Sequence, residues 1–328
     1  MRGGDESSVM THLGFHASHE QFPPGPLLDW VTAAEDAGFA CVLASDHFHP
    51  WSERQGESAH VWSWLGAAMH TTTVPFATVS APGYRYHPAV LAQAIGTLRS
   101  MYGDRFTPCL GSGQLLNEGI TATRWPNKSK RNERLHESAE IMRTLLSGET
   151  ATADGQISIE EATLYTRSGD PPQLIGAALS VETARWLAAW ADGMITLATP
   201  DYDAMRDRIT AFAERAPDKP VYLKSQLAYG DEDTSALEGA YTQWRTNCIP
   251  RIATQELRTP RDYDALGELV DRETVQENVR VSDDLDRHRE WIEADLSLDV
   301  DRIYLHNVHP NQGNFISTFG EEVLPVFS

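Results

Sequence analysis

Lysine is scarce in this chain. Lys128, Lys130, Lys219 and Lys224 are the whole complement in 328 residues, and arginine supplies every other basic side chain. With 47 acidic residues against 27 basic ones, the formal net charge is −20. That balance excludes nucleic acid as the main partner, because neutralising phosphates takes clustered cations, and it disfavours an anionic membrane surface. An acid excess with few lysines suits a salt-rich cytoplasm, where ions screen self-repulsion, and points to a halophilic source. Cysteine is equally sparse: Cys41, Cys109 and Cys248 are isolated and odd in number. They read as buried thiols rather than a disulfide framework or a zinc site. No apolar run approaches the roughly 20 residues of a membrane-spanning helix, and Met1 to Ser8 hold no hydrophobic signal core. Residues 1–10 read as a disordered extension ahead of one domain over 11–328, with the cytoplasm as the expected location.

What is present is a regular alternation of strand-like and helix-like runs. The pattern predicts eight strands: 11–17, 40–44, 76–81, 106–110, 174–178, 194–198, 221–229 and 302–308. Helices fall between them, one ended by Gly38 and one by Gly148, with a small hairpin inserted within 150–168. Residues 251–281 are charged and less regular. Eight β-then-α units without a break in composition predict a single (β/α)8 TIM barrel with insertions. A doubly wound open sheet is the alternative, but His16-Ala17-Ser18-His19-Glu20-Gln21 stands where a Gly-x-Gly-x-x-Gly turn would follow the first strand.

In such a barrel the residues just past the strands converge on one face, which carries the chemistry. The first strand end supplies His16, Ser18, His19 and Glu20; the second supplies Asp46, His47, His49 and Trp51. Val79 and Ser80 close the third, followed by Tyr84, Arg85 and Tyr86, which read either as stacking partners of a ligand or as a solvated or dimer-facing loop. The fourth ends in Gly111-Ser112-Gly113-Gln114-Leu115-Leu116-Asn117-Glu118, too short a glycine frame for a Gly-x-Ser-x-Gly nucleophile elbow. Gly176, Ala177 and Ala178 close the fifth, and His306 and His309 the eighth. An imidazole beside a carboxylate and an indole suits proton transfer near neutral pH. His49, His60 and His70 read as ordinary polar or packing histidines.

These segments resemble the luciferase-like oxidoreductases. The carriers of the likeness are Ala17-Ser18-His19-Glu20-Gln21-Phe22, Ser45-Asp46-His47-Phe48-His49-Pro50-Trp51, Arg85-Tyr86-His87-Pro88-Ala89-Val90, Gly111 to Glu118 and Ala191-Asp192-Gly193, in order. Within that superfamily they are most similar to the coenzyme F420-dependent glucose-6-phosphate dehydrogenase branch. The resemblance implies a barrel that binds a flavin-type ring at the strand ends, as a homodimer. It implies His47 as base, Asp46 as its partner or a ring contact, and Trp51 and Glu20 on the substrate side. It also implies ring or cofactor contacts by Val79 (at a cis-peptide bulge), Ser80, Gln114, Asn117, Gly176, Ala177 and Ala178.

Several positions depart from that pattern. Gln114 replaces a catalytic glutamate, and an amide cannot deliver a proton. Leu197 and Pro200 replace a threonine and a lysine that hold phosphate, which leaves Lys224 as a thin anion site and disfavours glucose 6-phosphate. Ala178-Leu179 replaces paired glycines beside the cofactor phosphate. These changes, with the run from His47 to Gly56, resemble a side branch using FMN, so FMN is the expected cofactor and F420 the alternative; FMN would also admit a monooxygenase reaction with oxygen. A metal-dependent hydrolase on the same barrel competes through His47, His49, His306 and His309. It would need about three or four converging ligands, and the fifth and sixth strand ends offer no histidine.

Overall fold

The computed structural model describes residues 11–327; the expected extension over 1–10 lies outside the described residues. Eleven strands are present among them: β1 (His12–Ala17), β2 (Val42–Ser45), β3 (Phe76–Ser80), β4 (Phe106–Leu110), β5 (Ala151–Asp154), β6 (Ser158–Ala162), β7 (Ile175–Ala177), β8 (Gly193–Leu197), β9 (Val221–Ala228), β10 (Arg280–Val281) and β11 (Arg302–Asn307). Eight of them, in the order β1-β2-β3-β4-β7-β8-β9-β11, pair in parallel, and β11 returns to β1 to close the barrel. This is the TIM barrel expected from the alternation.

The pleat sorts each strand. On β1, Leu13 and Phe15 face the helix layer, while Gly14 and His16 face the lumen. Leu43, Ala77, Cys109, Ile175, Ile195, Tyr222 and Tyr304 fill the lumen below the mouth as an apolar plug. Gly14 is the position that lets this plug close, because a Cβ there would lie 2.7 Å from the Cys41 carbonyl oxygen and 2.8 Å from the Tyr304 ring. Helices Pro24–Asp36, Val61–Thr71, Pro88–Tyr102 and Lys128–Ser147 bury their apolar faces on the outer side of the strands. Each fully buried Leu or Phe contributes about 1.5–3 kcal/mol of transfer free energy. The longest of the four starts at Asn127, whose side chain accepts from the Lys130 amide, and stops at Gly148, where φ is +89°.

Two insertions shape the molecule. The β5–β6 hairpin lies on helix Lys128–Ser147, where the Glu137 carboxylate accepts the Gln156 and Ile157 amides at 3.0 Å each. Residues 229–281 form a cap with its own small core, built on Trp244, Cys248, Ile249, Tyr263, Val275 and Val279, while Ile292, Leu298 and Val300 return to the barrel's outer core. The segment 251–281, expected to be less regular, is in fact ordered as helices Arg251–Thr254, Pro260–Gly267 and Arg272–Asn278 followed by β10. Each helix is too short to give a clear period, which hides it from sequence. β9 is shared: its lower half pairs with β8 up to Leu197–Lys224, and its upper end pairs with β10 at Leu227 and Ala228. Among the described residues, no helix is long and apolar enough to cross a membrane.

Candidate active site

The turn after β1 and the end of β2 assemble the centre of the site. Ser45, the last residue of β2, donates its hydroxyl to Glu20 Oε2, and Ser18 Oγ donates to the same oxygen at 3.1 Å. Glu20 Oε1 then lies 3.5 Å from His47 Nε2. The Glu20 side chain is 4% exposed and that of His47 15%, so the imidazole sits at the surface of the mouth rather than in the packed interior. Burial alone would raise the Glu20 pKa, but the neighbouring His47, Lys224 and the Ser45 hydroxyl outweigh it and hold the group below the usual carboxylate range. Burial lowers the pKa of His47, and Glu20 offsets this only in part. At neutral pH the contact is therefore a carboxylate against a neutral imidazole. It becomes an ion pair when His47 takes up a proton. Nδ1 of His47 has no hydrogen-bond partner and is the nitrogen left to accept one.

Asp46 faces the other way. Its carboxylate accepts Ser80 Oγ at 2.5 Å, Arg85 Nη1 at 3.1 Å and Tyr86 OH at 3.2 Å. Arg85 also reaches Glu118 Oε1 at 3.3 Å, and its amide donates to Glu118 Oε2 at 3.1 Å. The partner of His47 is thus Glu20, not Asp46, which belongs to a buried network linking β2, β3 and the turn after β4. Arg85 sits between two carboxylates, which rules out the solvated-loop alternative. Glu118 completes the network. It has a raised pKa, from burial first, with Arg85 opposing.

Trp51 lies against His47, with ring centroids 4.8 Å apart, and against Tyr263 of the cap at 5.6 Å. Gln55 Nε2 donates to the Gln243 carbonyl at 2.8 Å, and Arg54 pairs with Asp264 at 2.6 Å. The loop after β2 is therefore clasped by the cap, and the cap fixes Trp51.

The remaining expected residues separate into two groups. Val79 and Ala177 are half-buried lumen residues, and a Cβ on Gly111 would lie 3.7 Å from Val79 and 3.8 Å from Ala177. The three form a shallow apolar shelf beside the catalytic strand end, with Val79 opposite Ser45 in the β2–β3 register. Gly176 and Ala178, by contrast, face the helix layer. A Cβ on Gly176 would meet Leu187 at 2.4 Å, so that glycine serves helix packing, and Ala178 is fully buried in the outer core. Every described peptide bond is trans, so the cis bulge expected at Val79 is absent. Asn117 accepts the Phe48 and His49 amides at 2.9 and 3.1 Å, which gives it the task of holding the β2 loop. Gln114 is exposed at the rim, and its carbonyl starts the short helix Leu115–Glu118.

On the opposite side of the lumen, the His16 and His306 rings meet at a tilt, with centroids 4.3 Å apart, and His306 Nε2 meets Gln21 Oε1 at 2.8 Å. Lys224 lies 5.5 Å over the Trp244 ring, and burial depresses its ammonium to about 8. The mouth thus has an apolar half and a polar half. His19 is a wall residue, edge-on to Trp64 at 4.7 Å. His60 caps helix Val61–Thr71, and His49 Nδ1 meets the Leu116 carbonyl. Among the described residues no three His, Cys, Asp or Glu side chains converge to hold a metal ion. His306 and His309 turn to different partners, Gln21 and Ser235, which leaves the hydrolase alternative without a ligand set.

The buried histidines carry a stability consequence. Burial lowers the pKa values of His16 and His306, and brings those of His19 and His288 to about 4. Because the folded values lie below the unfolded 6.5, their stability contribution is complete above about pH 6.5 and is lost as pH falls toward 4. Melting temperatures recorded from pH 7.5 down to 5 should fall continuously below about 6.5. A flat profile over that interval would show that these rings take up protons as readily in the fold as in the unfolded chain.

A closed β/α barrel with an imidazole, a carboxylate and an apolar shelf together at the strand carboxyl ends has the layout of a barrel enzyme, whose chemistry sits on that face. The chain belongs to the luciferase-like monooxygenase family, whose model matches residues 7–301. This is a family of flavin- or F420-dependent oxidoreductases. An F420-dependent glucose-6-phosphate dehydrogenase from Beutenbergia cavernae is 31% identical over 96% of this chain and 97% of its own. One from Nakamurella multipartita is 32% identical over 95% of each. An F420-dependent secondary alcohol dehydrogenase, solved with an F420-acetone adduct, superposes with a TM-score of 0.89 at 27% identity, over 96% of this chain and 99% of that one. The oxygenating constituent of 3,6-diketocamphane monooxygenase, with FMN, shares the fold at a TM-score of 0.68, 16% identity and 96% and 98% coverage.

Proposed function

We propose that this protein transfers a hydride between a small secondary alcohol or its ketone and coenzyme F420. The observation that carries the reading is the neutral His47 at the strand ends, with Nε2 3.5 Å from Glu20 and a buried Nδ1 that has no partner, together with the Val79–Gly111–Ala177 shelf. A tricyclic ring fits the shelf because glycine and alanine leave the strand ends flat and apolar there. When bound, that ring supplies the hydride acceptor. His47 takes the hydroxyl proton as the carbinol hydrogen leaves, and Glu20 stabilises the resulting imidazolium. Trp51 covers the imidazole and excludes water from that side.

F420 is chosen over the FMN expected from the side-branch resemblance because the sequence relatives and the 27%-identical structure are F420 enzymes. The FMN enzyme among the structural neighbours shares only the fold, and so does not support an oxygen-using reaction. Glucose 6-phosphate, the substrate named for the relatives, is disfavoured because Leu197 and Pro200 stand where the resemblance places a phosphate-holding threonine and lysine. The homodimer, the cytoplasmic setting and the halophilic source remain part of this proposal.

The test is a titration of the purified full chain with F420 and with FMN at high salt, followed by addition of 2-propanol or glucose 6-phosphate. Tight F420 binding and loss of its visible absorbance with the alcohol alone are expected. Reduction by glucose 6-phosphate alone would overturn the substrate assignment, and preference for FMN the cofactor assignment.

A further inference from the structure

In a chain of net charge −20, four cations gather at one sector of the mouth without an acidic partner. Lys128 Nζ donates to Ser112 Oγ at 2.7 Å, just past β4. Arg251 Nη1 donates to the Leu179 carbonyl at 3.0 Å, past β7, and Arg208 Nη2 to the Leu197 carbonyl at 2.8 Å, at the end of β8. Arg131 Nη1 reaches the Pro126 carbonyl at 2.7 Å and lies 4.9 Å over the Trp125 ring. All four hydrogen bonds end on neutral oxygens. The cations Arg85, Arg143, Arg245, Arg272 and Arg280 each hold a carboxylate instead. Nε of Arg208 and of Arg131 is buried and has no partner at all.

Burial first, and then Arg131 and Arg251, together depress Lys128 to about 8; Arg208 is lowered by burial and then by Arg251. Glu182, Asp201 and Glu256 are near enough to offset this slightly, and none of them bonds to the four. Like charges brought together and partly desolvated are costly unless an anion joins them. The sector spans the carboxyl ends of β4, β7 and β8, across the apolar shelf from Glu20 and His47.

We propose that Lys128, Arg131, Arg208 and Arg251 anchor the anionic tail of the ring cofactor. Four cations match a phosphodiester continued by several carboxylates, the tail of F420, better than the single phosphate group of FMN. The inference rests on the function proposed above and adds a tail site to its ring site. Lys128 and Arg251, exposed and bonded to neutral oxygens alone, are the positions to vary, because neither supports the fold through an ion pair.

The test is fluorescence titration of the full chain and of a K128Q/R251Q double variant. The probes are F420, its tail-less deazaflavin riboside, and FMN, each at low and high salt, with melting temperature as the folding control. Each lost charge-assisted contact should weaken tail binding roughly tenfold. The double variant should therefore bind F420 about 100-fold more weakly, with a flatter salt dependence, and bind the riboside as the parent does. Unchanged F420 affinity in a folded double variant overturns the anchor while leaving the ring site intact. Equal losses for FMN and F420 overturn the match to an extended tail. Failure of the parent to bind any of the three rings overturns the proposed function, and the anchor with it.

Discussion

Replacing His47 with alanine should reduce alcohol-dependent turnover by about 10²–10⁴-fold, the range for a lost general base, while F420 binding changes little. The imidazole is 15% exposed at the mouth and keeps one nitrogen without a partner, and Ser18 and Ser45 hold the carboxylate that faces it. The shelf that receives the ring is made by other strands. Steady-state assay with a parallel cofactor titration separates the two effects, and wild-type-like turnover would refute the assignment. The pH profile adds a second reading. Burial lowers the His47 pKa and Glu20 raises it. The acid limb of kcat/KM should therefore fall below about pH 6.5, and Glu20→Gln should move that limb to still lower pH. Movement toward higher pH would mean that Glu20 does not face the protonated base.

The largest stability loss is expected far from the chemistry. Arg280, in β10, forms a two-point ion pair with Asp295, Nη1 to Oδ2 at 2.6 Å and Nη2 to Oδ1 at 2.7 Å, and adds Ser225 Oγ and Tyr202 OH. Asp295 is fully buried. Arg280→Ala leaves that carboxylate without its cation, which costs about 3–5 kcal/mol. At about 2 °C per kcal/mol for a chain of this size, the melting temperature should drop by roughly 6–10 °C. A change within about 1 °C would show that this ion pair does not support the fold. The pair also holds the edge strand of the cap, so the same variant tests whether the cap depends on the barrel.

The barrel was legible because period-2 and period-3.6 runs alternate eight times, and because Gly38 and Gly148 mark helix ends where φ is positive. The catalytic strand end was legible through Asp46-His47 and Trp51. Their division of labour was not. Glu20 and Asp46 are both strand-end carboxylates, and only the Ser45 and Ser80 hydroxyls, from different strands, decide which one meets the imidazole. Arg85 and Glu118 are 33 residues apart, and no local pattern announces that they share a buried network. The four-cation sector escaped for the same reason. Lys128, Arg131, Arg208 and Arg251 come from three separate segments and look like ordinary surface charges one at a time. Gly176 illustrates the converse. A glycine beside an expected ligand site turned out to make room for Leu187.

Where β9 leaves β8 above Lys224 and takes up β10 instead, the top edge on that side is completed by a two-residue wedge from residues 229–281 and not by β8. Aperture and catalytic floor are therefore encoded in different stretches of chain. Exchanging that stretch alone would retune which molecules enter, while the strands presenting the reactive imidazole stay untouched.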